Sequence, residues 1–556
     1  MFLRFEMRNI STKSLTLLMV LILVTSLTLP AFAQQQETYE LIKYHRHSNF
    51  IKEFESPLHG LGLKGITTNS DGNAWFYYST NKTTTLIKFD PSSEKFSQYD
   101  VAGATTVHDF IIELAGGQLV FDKSRNVVWF TDSRTNSIGK FDVKSEKVEL
   151  TAIPTQNAGP MGIALSPDGK NVWFAEITGN NIGRLHPESN KITEYFAGDN
   201  SGPTFLTFDE KGGLWVTLSY SHSILKVQTS VLDSDSSKGM STIMLPNQEP
   251  FSPFGIAIVT DSTGKQRIFV SDHGSSRVIS SPVDSDLKTF TSYWTSPSQE
   301  YPATLPGEIV SDKKGNVYFP EHGGNRIAKI DPAGLMTEYD IPTGPLSTAV
   351  FSTISDDGSR VWFTELLADR IAYLDTTIPV NFNLKVSGDN QLTIDKNGAK
   401  TVDISLTSLD NKNNSFISLS NVALDLVGMT DLGLKGLTYD IQPQKIDLQK
   451  NSNVASHLTL QAGDKARSGQ YTVMVRASVF EDDQQLAVSE LYPILIKLDV
   501  SAFENNNSLP SAKSYELKPW LHDLVNLLLI VLAIALIGYL VYSKVIRSRK
   551  TKQKEL

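Results

Sequence analysis

WFAEITGNNIGRL, residues 173–185, decides the fold. An aromatic pair and an acid end one apolar run, a Gly/Asn turn follows, and a second run opens on Asn-Ile-Gly. Related text stands at 129–141 (WFTDSRTNSIGKF), 318–330 (YFPEHGGNRIAKI) and 362–374 (WFTELLADRIAYL). Self-similarity at a near-fixed period is the signature of a repeat architecture. The aromatic pair and its equivalents fall at Trp75, Trp129, Trp173, Trp215, Phe269, Tyr318 and Trp362, with spacings of 54, 44, 42, 54, 49 and 44 residues.

A Gly-containing turn precedes most of these pairs, as in Asp168-Gly169 and Asp357-Gly358, and a short strand such as PMGIALS (160–166) precedes the turn. Strands such as NIGRL (181–185) and KITEYF (191–196) follow. Four strands in each 40–50-residue unit are the size of a propeller blade. Seven units predict a seven-bladed β-propeller over residues 38–379. The last unit lacks an outer strand, and IKEFESP (51–57) resembles the missing one. It is expected to close blade seven and so remove open sheet edges.

Past Pro379 the blade pattern stops. Alternating runs such as TVDISLTSL (401–409) and GQYTVMVRASV (469–479) predict an immunoglobulin-like β-sandwich over 380–501, acting as a spacer. Residues 502–519 read as a polar linker. The expected fold class is all-β: propeller, then sandwich, then one C-terminal transmembrane helix.

The ends set the expected compartment. Residues 1–33 have the order of a secretory signal: basic residues, an apolar run at 15–29, then Ala31-Phe32-Ala33. Residues 520–543 contain an uncharged apolar run long enough to span a bilayer. The tail 544–556 carries six Lys or Arg, and the positive-inside rule puts it in the cytoplasm. Propeller and sandwich are therefore expected outside a cell membrane. The chain has no cysteine, which excludes disulfides and thiolate chemistry. A net charge of −9 argues against nucleic acid as a partner.

Equivalent repeat positions share a radius and a face. The third position after the first aromatic holds Tyr78, Asp132, Glu176, Leu218, Asp272, Glu321 and Glu365, and His273 and His322 follow two of the acids. A second ring position, after the proline of the P-x-G-I strand, reads Lys64, His108, Met161, Thr204, Phe254, Gly307 and Leu346. Converging carboxylates suit an oxygen-seeking divalent cation such as Mg²⁺. The candidate metal ligands are Glu365, Glu321, Glu176, Asp132 and Asp272. The alternative is that each acid pairs with a nearby base, such as Arg184, Arg277, Arg326 or Arg370, or caps its own turn. Lys64, Tyr78 and His273 are the candidate ligand-binding residues, and His322 and His108 the candidate catalytic ones.

Written as P-x-G-I, D-G, W-F-x-E, N-x-I-G-R and I-P-T, the unit resembles the virginiamycin B lyase (streptogramin lyase) family across roughly residues 60–378. The resemblance implies a seven-bladed propeller that opens cyclic streptogramins by elimination, using a divalent metal and a histidine base. The family's histidine positions in the last two blades fall on Gly307 and Leu346, and the acid before the last proline falls on Gly344. Glu365 matches. The expected function is a membrane-anchored cell-surface module that binds a small molecule or a surface protein. The alternatives are a metal-dependent lyase or hydrolase of a cyclic ester or lactone, and a structural cell-envelope protein.

Overall fold

The computed structural model describes residues 42–499 apart from 81–82, 102–115, 233–235, 246–250, 262, 286, 288, 298–302, 389–390, 410–418, 430–433, 464 and 480–487. Seven antiparallel four-strand units follow one another. Blade one comprises Leu63–Thr68, Ala74–Ser79, Thr84–Asp90 and Lys95–Asp100, and blade three Pro160–Leu165, Val172–Glu176, Asn181–His186 and Lys191–Phe196. The innermost strand of each blade packs on that of the next, and Ala349–Ile354 of blade seven packs on Leu63–Thr68 of blade one. The ring is closed.

The closure is the expected one. Ile51–Glu55 pairs antiparallel with Arg370–Asp375, with Ile51 opposite Leu374 and Glu55 opposite Arg370. Two segments more than 300 residues apart thus share one blade, and Arg370–Asp375 gains the outer neighbour that the C-terminal strands alone do not supply.

Local chemistry makes each blade. In blade four, Asp209 Oδ1 accepts the N–H groups of Lys211 (2.9 Å) and Gly213 (2.8 Å), while Gly212 turns at φ +79°. Asp209 Oδ2 also accepts the indole N–H of Trp215 at 2.9 Å, so one carboxylate fixes both turn and tryptophan. Trp75, Trp129, Trp173, Trp215 and Trp362 on the second strands are buried, and truncating one to alanine costs about 3–5 kcal/mol.

A second device ties blade to blade. The residue before the third strand is left-handed in blades two to seven: Asn136, Asn180, His222, Ser276, Asn325 and Asp369. Asparagine and aspartate tolerate this region, and their short polar side chains reach nearby backbone. Asn325 Oδ1 accepts the Ser347 N–H at 2.8 Å, and its amide donates to the carbonyls of Ile341 and Thr343. Asn136 and Asn180 hold the links to blades three and four in the same way. Asn136, Asn180 and Asn325, which open N-S-I-G, N-N-I-G and N-R-I-A, therefore clamp the chain leaving blades two, three and six.

Residues 380–499 form two sheets around one core. Phe382–Val386, Ala399–Ser408, Asn453–Ala462 and Leu437–Gln442 make one sheet. Val488–Asp499, Gly469–Val479, Leu419–Val427 and Lys445–Leu448 make the other, and Leu406, Leu424, Leu458, Val473 and Ile496 fill the space between. Val488–Leu491 also pairs with Met336–Tyr339, the outer strand of blade six, so sandwich and blade share a nine-stranded sheet. Trp294 of blade five donates to the Thr472 carbonyl at 2.8 Å. The expected spacer is thus fused to the ring along one strand. Among the described residues no helix is long and apolar enough to cross a membrane. The expected signal 1–33, linker 502–519, helix 520–543 and tail 544–556 lie outside the described residues.

Candidate functional site

The first strands line the axis, and their register fixes what faces it. Ile163 lies opposite Phe174 in blade three, and Leu119 lies opposite Phe130 in blade two. The inner ring position two residues earlier is therefore Met161 in blade three and Gly117 in blade two. His108 does not occupy it, and lies outside the described residues. In blade seven Ser352 opposes Phe363, so the position is Val350 and not Leu346. Both differences have one cause: extra residues between the previous blade and the strand shift a proline-based alignment.

Aromatic rings meet across the axis. Phe205 of blade four lies 4.9 Å from Phe254 of blade five and 6.4 Å from Phe351 of blade seven. Met161 and Ile256 join them in one apolar cluster. Glu308, just ahead of the inner strand Val310–Ser311 of blade six, accepts the Ser352 N–H at 3.0 Å, and burial pushes its carboxyl up to about 8.

Two histidines sit on this apolar floor. His273 stacks on Phe254 at 5.0 Å, and His322 lies 4.8 Å from His273. His273 Nδ1 is 3.1 Å from the Pro306 carbonyl, so that nitrogen carries the proton. Both His322 nitrogens are buried and have no hydrogen-bond partner among the described residues. Burial, reinforced by His273, brings His322 down to about 3. At neutral pH His322 is an uncharged imidazole with one donor and one acceptor unused.

The other candidate ligand residues are taken up by the fold. Tyr78 is buried and donates its hydroxyl to the His59 carbonyl at 2.6 Å. Lys64 is buried on the inner strand of blade one against the backbone of Gly117.

The five acids are fully or almost fully buried at the end of each second strand, but they divide into two kinds. Asp132 accepts the N–H groups of Arg134 (3.0 Å) and Thr135 (3.4 Å) and the Thr135 hydroxyl (2.7 Å). Asp272 accepts the Ser252 N–H at 2.9 Å, the Ser275 hydroxyl, and Arg277 Nε at 3.2 Å. These are satisfied turn caps.

The glutamates reach further. Each lies on the same blade face as a glutamate of the outer strand, across a small residue of the third. Gly183 opposes Phe174 and Glu194 beside Glu176, Ala328 opposes Phe319 and Glu338 beside Glu321, and Ala372 opposes Phe363 and Glu53 beside Glu365. Each outer glutamate accepts an N–H from the chain leaving the previous blade: Thr155 to Glu194 (2.9 Å), Ser296 to Glu338 (2.8 Å) and Thr343 to Glu53 (2.9 Å). His45 also bonds Glu53, at 2.6 Å.

The inner carboxyls gain little in exchange for burial. Both oxygens of Glu321 and of Glu365 lack a hydrogen-bond partner among the described residues, as does Glu176 Oε1. Burial, then the facing glutamate, raises all three, Glu176 to about 8. Of the expected bases, Arg277 reaches Asp272, and Arg326 stands 3.9 Å from Glu321 but 2.8 Å from Asp340. Arg370 is 3.7 Å from Glu53, and Arg184 covers the rings of Trp173 and Tyr195.

The virginiamycin B lyase family profile matches residues 49–347, more than half of the chain. The chain belongs to the virginiamycin B lyase family. It is 24% identical over 267 residues to a virginiamycin B lyase of Nocardia farcinica (strain IFM 10152), covering 48% of this chain and 68% of that protein. Among solved structures, a streptogramin B lyase is 23% identical with TM-score 0.48, covering 59% of this chain and 97% of that one. The catalytically inactive virginiamycin B lyase of Staphylococcus aureus with quinupristin is 22% identical with TM-score 0.47, covering 58% and 99%.

Against the family pattern, Gly307 and Val350 stand at the inner ring positions of the last two blades and carry no imidazole. Glu365 faces Glu53 and Arg370, and no histidine stands among the described groups acting on it. Among the described residues no three His, Asp or Glu side chains gather as ligands of one ion. The described residues do not fit the metal that the family implies, and no step is derived through it.

The sequence named both histidines but had no signal for their meeting, since they come from neighbouring blades. The clamps Asn136, Asn180 and Asn325 and the outer glutamates were missed as well. Their signal was the recurrence of N-x-I-G/A at 136, 180 and 325 and, for Glu194 and Glu338, of T-E-Y at 193–195 and 337–339.

Proposed function

We propose that the chain is a ligand-binding member of the virginiamycin B lyase family, held at the cell surface by its C-terminal apolar segment. The carrying observation is the uncharged His273–His322 pair on the Phe254 floor. Unused hydrogen-bonding groups beside an apolar surface are the ordinary furniture of a small-molecule site. The ligand is a small molecule with a flat apolar face and an adjoining group that both donates and accepts. The absence of an imidazole at Gly307 and Val350 supports binding over ester opening, because elimination needs a base within reach of the proton removed. The run 524–543 and the basic tail support the anchor, and the two-sheet domain fits an immunoglobulin-like module beside the ring.

Quinupristin is the first probe, because a relative's structure contains it. The full chain is titrated with quinupristin while its melting temperature is followed, and chromatography monitors the cyclic ester. A saturable rise, lost in His322→Ala and Phe254→Ala, with the ester intact, is the expected result. Ester opening by the unmodified chain overturns the binding reading in favour of a lyase. No rise at any concentration removes this ligand class.

A further inference from the structure

Two blade seams hold carboxyl pairs for which the proposed ligand site has no use; the inner glutamate is buried in both, while its partner is half-buried in blade three (Glu194) and buried in blade six (Glu338). In the seam between blades two and three, Glu176 and Glu194 share one face, and Glu176 Oε2 accepts the Asn181 amide at 3.0 Å. The chain from blade two brings Thr155, whose N–H goes to Glu194 and whose hydroxyl meets the same amide at 3.2 Å. Glu194 is the charged group that acts on Glu176.

In the seam between blades five and six, Glu321 and Glu338 are 0% and 1% exposed. Arg326 and Asp340 share their blade, and the chain from blade five supplies the Ser296 N–H. From the sandwich, Arg476 acts toward this group, but it is already bonded to Asp425. Three carboxyls around Arg326, of which Asp340 alone reaches solvent, leave an excess of negative charge if all are ionised. Neither Glu321 oxygen finds a donor. Two carboxylates held together away from solvent, as Glu321 and Glu338 are, do not both stay ionised, and buried Glu176 meets the same constraint beside half-buried Glu194.

We propose that these two seams are proton locks: each holds one proton between its two glutamates at neutral pH, and the ring tightens as the medium turns acidic. The proton sits on the inner glutamate, because the outer one already accepts a backbone N–H. The lock acts along the blade-to-blade contact, so its release loosens packing between neighbours rather than within a sheet.

The sign follows from linkage. A carboxyl raised in the folded state keeps its proton while the unfolded chain, near its ordinary value, has lost it. Stability is complete below about 4.5 and falls as pH rises toward the folded value, about 8 for Glu176. Each seam makes the unfolding constant grow about tenfold per pH unit inside that window.

The test is denaturant unfolding of the full chain between about pH 5.5 and 7.5, for the unmodified protein, Glu176→Gln, Glu321→Gln and the double variant. Glutamine imitates the protonated acid. The expected result is that each substitution stabilises at the upper pH, is near neutral at the lower, and flattens the slope, most in the double variant. An unchanged slope in the double variant overturns the proposal. So does an equal loss of stability at both ends, which would mark an ionised structural acid. Should either variant fail to fold, infrared spectra of the unmodified chain at about pH 7 decide. A protonated-carboxyl band that vanishes on unfolding and persists when Glu308, Glu365 and Glu490 are all replaced by glutamine is required, and its absence overturns the proposal.

Discussion

Blades two and five differ from blades three, six and seven by one methylene at one position. Asp132 and Asp272 fold back on their own turns, while Glu176, Glu321 and Glu365 reach over the third strand to a second carboxyl. The residue three further on makes the choice. Asp132 is followed by Thr135 and Asp272 by Ser275, whose hydroxyls meet the short carboxylate. Glu176, Glu321 and Glu365 are followed by Gly179, Gly324 and Ala368. A Cβ at Gly179 would lie 2.5 Å from Glu176 Oε2, and one at Gly324 would lie 2.7 Å from Glu321 Oε2. One position, read with its partner three residues on, separates a turn cap from a seam.

The largest test of that contrast is Asp272→Ala. It strips the partner from the nearly buried Arg277 guanidinium and an acceptor from Ser252. The expected loss is about 3–5 kcal/mol by denaturant unfolding, the same at pH 5.5 and 7.5. A neutral result would place Asp272 outside the turn. Next comes Asn325→Ala, which unmakes the clamp between blades six and seven while both carboxyl kinds stay intact. About 1–3 kcal/mol is expected, without change in pH slope. A pH-dependent loss would mean that the clamps and the seams are one device.

Glu176→Asp sharpens the comparison at smaller scale. The shortened acid loses its outer neighbour and finds no hydroxyl at Gly179, so about 1 kcal/mol should go. Adding Gly179→Thr installs the blade-two pattern in blade three. The double variant should recover most of that loss and lose the blade-three share of the pH dependence. Recovery with an unchanged slope would separate the pH effect from the carboxyl pair. The smallest effect is expected for Lys52→Ala, because Lys52 and Glu94 form a half-exposed surface pair worth less than about 1 kcal/mol.

The ring was legible because its period is carried by local signals: the Asp-Gly turns, the aromatic pair and the orphan strand at 51–57. The two kinds of acid were legible in principle, since Asp-x-x-Thr/Ser and Glu-x-x-Gly/Ala stand in the text. Their meaning was not, because Glu194, Glu338 and Glu53 lie on strands whose approach depends on the completed blade. The shifts to Gly117 and Val350 escaped a reading by proline, since only strand pairing fixes register. The bond between Met336–Tyr339 and Val488–Leu491 joins residues about 150 apart, which no local periodicity announces. The histidine pair needs two blades in place.

The most direct measurement of the central claim, that the turn acids serve the ring, is the melting temperature of the full chain at fixed pH in EDTA and then with excess Mg²⁺. The turn bonds of Asp132 and Asp272, and the second glutamate facing each of Glu176, Glu321 and Glu365, predict no metal-dependent shift, and the same insensitivity in Glu321→Gln. A saturable rise with Mg²⁺ that disappears in Glu321→Gln would contradict it, and would return the acids to the role of a ligand set.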